Sequence, residues 1–113
     1  MATKKFNVKT SKQLTTTVDL DVGEILQNLP ECMMTMRCID WKYDDCVFQF
    51  EDMENGEKLT LTRDMAEEGL QKLLLTNFVM HSSYFDPEDL GSYDAEVIDC
   101  MVQYGLFGEV IYG

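Results

Sequence analysis

His81 is the one histidine of this 113-residue chain, and Ser82 and Ser83 follow it directly. A serine–histidine mechanism needs a third, orienting group and contact in space, which adjacency in sequence does not supply. The segment reads as a polar connector. Cys32, Cys38, Cys46 and Cys100 could join His81 as zinc ligands, but five and seven residues separate the first three. No zinc knuckle or finger has that spacing, and free thiols packed as small apolar groups account for them better. Asp52-Met53-Glu54-Asn55-Gly56 is acidic enough for calcium. Its glycine falls one position early for an EF-hand loop, and no helix precedes it. Carboxylate pairs of the glycosidase kind arise by chance among 21 acids, and none sits in a recognisable motif. The expectation is no catalytic residue, no metal and no cofactor.

The charge is more informative. Twenty-one acids face nine bases, a net of −12. Lys4, Lys5, Lys9 and Lys12 fall in the first 13 residues, which hold no acid. From Leu14 onward five bases meet all 21 acids, a balance of −16. A body this negative repels nucleic acid and membranes and attracts basic protein surfaces. It exceeds the net charge of about 2–8 in magnitude that solubility asks of a small domain. The acids cluster at Asp40, Asp44 and Asp45, at Glu51, Asp52 and Glu54, and at Asp86, Glu88 and Asp89. Trp41 and Tyr43 flank Lys42 inside the first cluster. Large aromatics in an acidic turn suit an interface anchor with a charged rim. The partner-binding candidates are therefore Asp40, Trp41, Tyr43, Asp44, Asp45, Glu51, Asp52, Glu54, Asp86, Glu88 and Asp89. Trp41 and Tyr43 are expected at the surface, not in the core.

The elements that must position these residues follow from periodicity. Leu14–Leu20 is rich in β-branched residues and reads as a strand, while residues 1–12 form a basic arm or edge strand. Asp21 can cap a short helix carrying Val22, Ile25 and Leu26, which Pro30 ends. Alternation puts Met34, Met36 and Cys38 on one face, then Cys46, Phe48 and Phe50, then Leu59 and Leu61. With Asn55-Gly56 as a hairpin signal, residues 33–62 predict a three-stranded antiparallel meander. Asp64 with Glu67 predicts a capped helix through Leu70, Leu73, Leu74 and Phe78. Asp86-Pro87-Glu88-Asp89 reads as a second helix start, and a last helix begins near Asp94. A final short strand follows in the apolar end, Gly105–Gly113.

The fold expected is α+β over one domain, 1–113: an antiparallel meander of three or more strands against two to three helices layered on one face. The sequence shows no signal peptide and no membrane-length apolar run, so a reducing, cytoplasmic setting is expected. The functional expectation is a non-enzymatic acidic inhibitor of a basic, nucleic-acid-handling protein surface, without direct nucleic-acid or membrane binding. The general character is similar to that of phage anti-defence proteins (anti-CRISPR-like DNA mimics) and nuclease immunity proteins, though no motif carries the likeness. The alternatives are a structural or adaptor subunit that self-associates, as a homodimer, through its apolar C-terminal third, and an enzyme or ligand binder with a pocket that no motif reveals.

Overall fold

The computed structural model describes residues 3–9, 15–27, 29, 36–42, 45–76 and 86–111. Strands β1 (Lys4–Lys9) and β2 (Thr15–Leu20) pair antiparallel, Lys4 opposite Leu20 and Lys9 opposite Thr15. The basic N-terminal segment is thus a strand, in a two-stranded sheet separate from the meander. The meander is as the alternation predicts: β3 (Met36–Lys42), β4 (Val47–Asp52) and β5 (Lys58–Leu61), in that order and antiparallel. Helix α1 (Val22–Leu26) follows its cap Asp21, whose side chain accepts from the Gly23 N–H. Helix α2 (Arg63–Leu75) and helix α3 (Ala95–Phe107) complete the α+β fold.

The inward faces share one hydrophobic cluster. It joins Phe6 and Val8 of β1, Met36 and Cys38 of β3, Phe48 and Phe50 of β4, and Leu61 of β5 to Leu70, Leu73 and Leu74 of α2 and Val97, Ile98, Met101 and Val102 of α3. Helices α2 and α3 meet at two glycines. A Cβ on Gly69 would lie 2.7 Å from the Gly105 nitrogen, and one on Gly105 would lie 2.7 Å from the Met65 carbonyl oxygen. Gly69 costs helix propensity, and close contact between the two backbones is what it provides. The small sheet is held from outside as well. Asn7 donates its N–H to Gln71 Oε1 at 3.1 Å, and Gln71 Nε2 donates to the Asn7 carbonyl at 2.8 Å. One α2 side chain thereby satisfies the backbone of Asn7 that β2 leaves unpaired.

Helix starts differ from the sequence reading in two places. The cap of α2 is Thr62, not Asp64. Thr62 keeps extended backbone angles (φ −94°, ψ 171°) straight out of β5, and its hydroxyl accepts from the Met65 N–H. Asp64 lies in the first turn, where the helix dipole favours its charge. Asp86-Pro87-Glu88-Asp89 starts no α-helix. Asp86 accepts from the Glu88 N–H and Asp89 from the Gly91 N–H, which folds the run into turns and a 3-10 helix at Leu90–Ser92. Short Asp side chains compete in this way with helix propagation. The last helix starts near Asp94 as expected, and Asp94 proves to be its cap, accepting from the Val97 N–H. After Phe107 the chain leaves α3 through Gly108 at φ +79°, and no strand is formed at residues 108–111.

Candidate functional site

The end of the β3–β4 hairpin carries the strongest site. Along β3 the alternation breaks: Cys38 is opposite Phe50, but Asp40 is opposite Gln49. The extra residue, Ile39, is a β-bulge, and a one-residue slip exchanges the two faces beyond it. Strict alternation places Asp40 with the inward residues and Trp41 outward. The bulge puts Asp40 with Gln49 on the outer face and Trp41 opposite Phe48. Two local bonds hold the irregular backbone. The Cys38 thiol reaches the Asp40 carbonyl at 3.5 Å, and Asp40 Oδ1 accepts the Trp41 N–H at 2.9 Å. Trp41 lies so near the end of the sheet that it is still 51 % exposed. The expected surface position of Trp41 is found; Tyr43 and Asp44 lie outside the described residues.

Asp40, Trp41, Lys42, Asp45, Val47 and Gln49 line a shallow concavity of about 210 Å³. That is below the ~300–1,000 Å³ of small-molecule pockets, and suits one side chain rather than a substrate. The lining comes from both strands. Cross-strand pairing adds Gln49, opposite Asp40, and Val47, opposite Lys42, which the sequence reading did not include. The signal for them is the hairpin register itself, which needs the bulge to be known. Asp40, Lys42 and Asp45 are exposed and make no ion pair among the described residues.

The other candidates fall elsewhere. Glu54 lies on the β4–β5 turn, at the opposite end of β4, about 17 Å from the Val47 end at ~3.3 Å per residue. Glu51 is half-buried beside Arg37, its cross-strand neighbour, at 3.5 Å, so its charge is locally offset. Asp52 is withdrawn from the surface altogether, at 2 % exposure. It closes the turn: its carboxylate accepts from the Glu54 N–H, its backbone N–H donates to the Glu57 carbonyl, and its carbonyl accepts from the Gly56 N–H. Gly56 takes the left-handed conformation (φ +73°), while Asn55 uses its side chain to accept from the Glu57 N–H. Asp86, Glu88 and Asp89 are exposed on the turns before α3. The nine candidates among the described residues therefore do not form one patch.

Other chemistry-bearing groups serve the interior. Asp21 accepts from both Gly23 and Arg63, the latter at 3.2 Å in a half-sheltered ion pair that ties α1 to α2. Burial pushes the Cys38, Cys46 and Cys100 thiols up from their ordinary value. Cys46 is wholly buried and takes a left-handed backbone (φ +53°) where the chain enters β4. Among the described residues no three His, Cys, Asp or Glu side chains are grouped to hold a metal, and no helix is long and apolar enough to cross a membrane. His81 and Cys32 lie outside the described residues. Among the described residues of the apolar C-terminal third, Tyr93, Val97, Ile98, Met101 and Val102 belong to the core, and Leu90, Val110 and Ile111 are exposed. Compared with known proteins, the chain matches no family model, no curated protein and no solved structure.

Proposed function

We propose that this chain is a non-enzymatic acidic inhibitor that binds a basic, nucleic-acid-handling surface of a protein partner, as an anti-CRISPR-like phage protein or a nuclease immunity protein would. The observation that carries this reading is the distribution of unpaired charge. Lys4, Lys5, Arg37 and Arg63 each sit within 4 Å of a carboxylate, on Glu67, Asp19, Glu51 and Asp21. Asp40, Asp45, Glu54, Glu57, Asp86, Glu88, Asp89 and Glu96 are exposed and make no ion pair among the described residues. Carboxylates so presented can occupy positions where Lys and Arg otherwise meet phosphates. Long-range attraction would speed association, and the exposed Trp41 would supply contact area at one end.

Capture from host lysate tests the reading. A basic nucleic-acid-binding protein should be retained at low salt and released by added duplex DNA or RNA. Its association rate should fall as ionic strength rises to physiological, because screening acts on steering. Retention of a partner that nucleic acid does not displace, or an association rate indifferent to salt, refutes it. Self-association is kept as a second reading because Leu75, Val110 and Ile111 are exposed apolar side chains. Sedimentation would detect it.

A further inference from the structure

We propose that the outer edge of β2 pairs with itself: two copies of the chain join β2 to β2, antiparallel about a two-fold axis at Thr17, and the two small sheets become one. The backbone leaves this edge open. Asn7 gives its N–H and its carbonyl to Gln71 of α2, so both point away from β2. Asn7 and Thr17 are therefore a non-hydrogen-bonded pair of the antiparallel ladder. The Thr17 N–H and carbonyl point away from β1, and by the strand period so do those of Thr15 and Asp19. None of the three has a backbone partner on that side among the described residues, and all three are exposed.

The other sheet edges are each blunted. Gln71 occupies the outer edge of β1 at Asn7. The edge of β3 is broken by the bulge at Ile39, where the Cys38 thiol takes the Asp40 carbonyl. Strand β5 has 4 residues, starts at the exposed Lys58 and runs directly into α2. Covering, bulges, short length and lysine are the means by which sheets protect an edge. Strand β2 has 6 residues, Thr-Thr-Thr-Val-Asp-Leu, with no bulge, proline or lysine.

The sequence of β2 decides the occupant. With Thr17 opposite Thr17 of the second copy, Thr15 falls opposite Asp19 and Thr16 opposite Val18, and every outward N–H and carbonyl of the three residues is paired. Centring the axis on Thr16 or on Val18 leaves Asp19 or Thr15 opposite no β2 residue. No like charges meet in the Thr17 register. Asp19 keeps Lys5 at 3.7 Å on one side and gains a threonine on the other. Val18, half-buried against the core, is covered by Thr16 of the second copy. The small sheet carries Lys4, Lys5 and Lys9 against Asp19, so two chains of net charge −12 can approach there without acid facing acid. The pairing is isologous and closes at a dimer.

Sedimentation of the full chain from about 10 µM to about 1 mM should show a monomer–dimer equilibrium. The dimer should tighten as salt rises, because screening relieves repulsion between the copies; binding to a basic partner has the opposite salt dependence. Thr17→Lys sets two ammonium groups directly opposite each other. It should weaken dimerisation about fivefold or more and leave the melting curve of the dilute monomer unchanged. Ile111→Ser, in the exposed apolar tail, should leave dimerisation unchanged. Under mild oxidation Thr17→Cys should give a disulfide-linked dimer, since its Cα atoms come to about 5.5 Å, while Thr15→Cys, at about 14 Å from its own copy, should not. A chain that stays monomeric throughout overturns the proposal and leaves the edge to a strand of another protein. A dimer indifferent to Thr17→Lys, or lost with Ile111→Ser, overturns it in favour of the apolar tail. A dimer that loosens with salt means that the lysines of one copy meet acids of the next, and overturns it too. Equal cross-linking at Thr15 and Thr17 overturns the two-fold register.

Discussion

Replacing Gly69 with alanine sets two calculable effects against each other. In an isolated helix the change favours the folded state by about 1 kcal/mol, since alanine has the better propensity. In this protein the new Cβ would lie 2.7 Å from the Gly105 nitrogen and 3.0 Å from its Cα, and closer still to the Met101 carbonyl oxygen. All three are backbone atoms of α3, so no side chain can swing away. Restoring an ordinary separation of about 3.5 Å requires α3 to retreat by roughly 0.8 Å at the Gly105 nitrogen and by more at the Met101 carbonyl oxygen. The Val97, Ile98, Met101 and Val102 layer would move with it. Overpacking costs about 1–3 kcal/mol, and a backbone obstacle belongs at the upper end. The net is a loss of about 2 kcal/mol, or a fall in Tm of about 8 °C for a chain of this size. Urea and thermal unfolding followed by circular dichroism measure it. Gly91→Ala is the control: its nearest neighbour is Asp89 Oδ1 at 3.3 Å, on the surface, and stability should change little. A Gly69→Ala protein as stable as the parent, or more so, refutes the close crossing of α2 and α3.

Four further outcomes are expected. Thr62→Ala should cost about 1 kcal/mol of stability because it removes the α2 cap, while Asp64→Ala should cost only the few tenths of a charge near a helix start, as paired denaturant curves would show. Burial, and then the charge of Asp86, push the Tyr93 phenol well above its usual value of 10, so its contribution is whole below pH 10 and is lost as the unfolded state alone ionises above it; the urea midpoint should fall between about pH 10 and 11, and less steeply in Tyr93→Phe. The Cys38 and Cys46 thiols should react slowly with a thiol reagent at about pH 8 and fully after unfolding, because both are buried and burial raises both above the ordinary thiol range. Trp41→Ala should leave the unfolding midpoint within about 0.5 kcal/mol of the parent, and Trp41 emission should be quenched by iodide; a loss of several kcal/mol would place the indole in the core.

Local pattern carried much of the architecture. The alternation at Met36 and Cys38, Phe48 and Phe50, and Leu59 and Leu61 is a property of neighbouring residues, and the strand period of two turns it directly into the inward face of the meander. Asp21 could be read as a helix cap, and a helix start could be placed near Asp94, because a cap bonds within three residues of itself. The strongly negative charge was likewise a matter of composition. Tertiary structure decided what distance in sequence hides. Which carboxylate or hydroxyl caps α2 depended on where β5 stops, and that made it Thr62. Gly69 looked like a cost until Gly105, 36 residues away, came against it. Asp52 carries the same charge as its neighbours, yet the turn it closes withdrew it from the surface. The bulge at Ile39 has no local signature, because it is a mismatch between two strands. Strand alternation taken alone puts Asp40 with the inward residues, and only the paired register turns it outward beside Gln49 and sets Trp41 opposite Phe48.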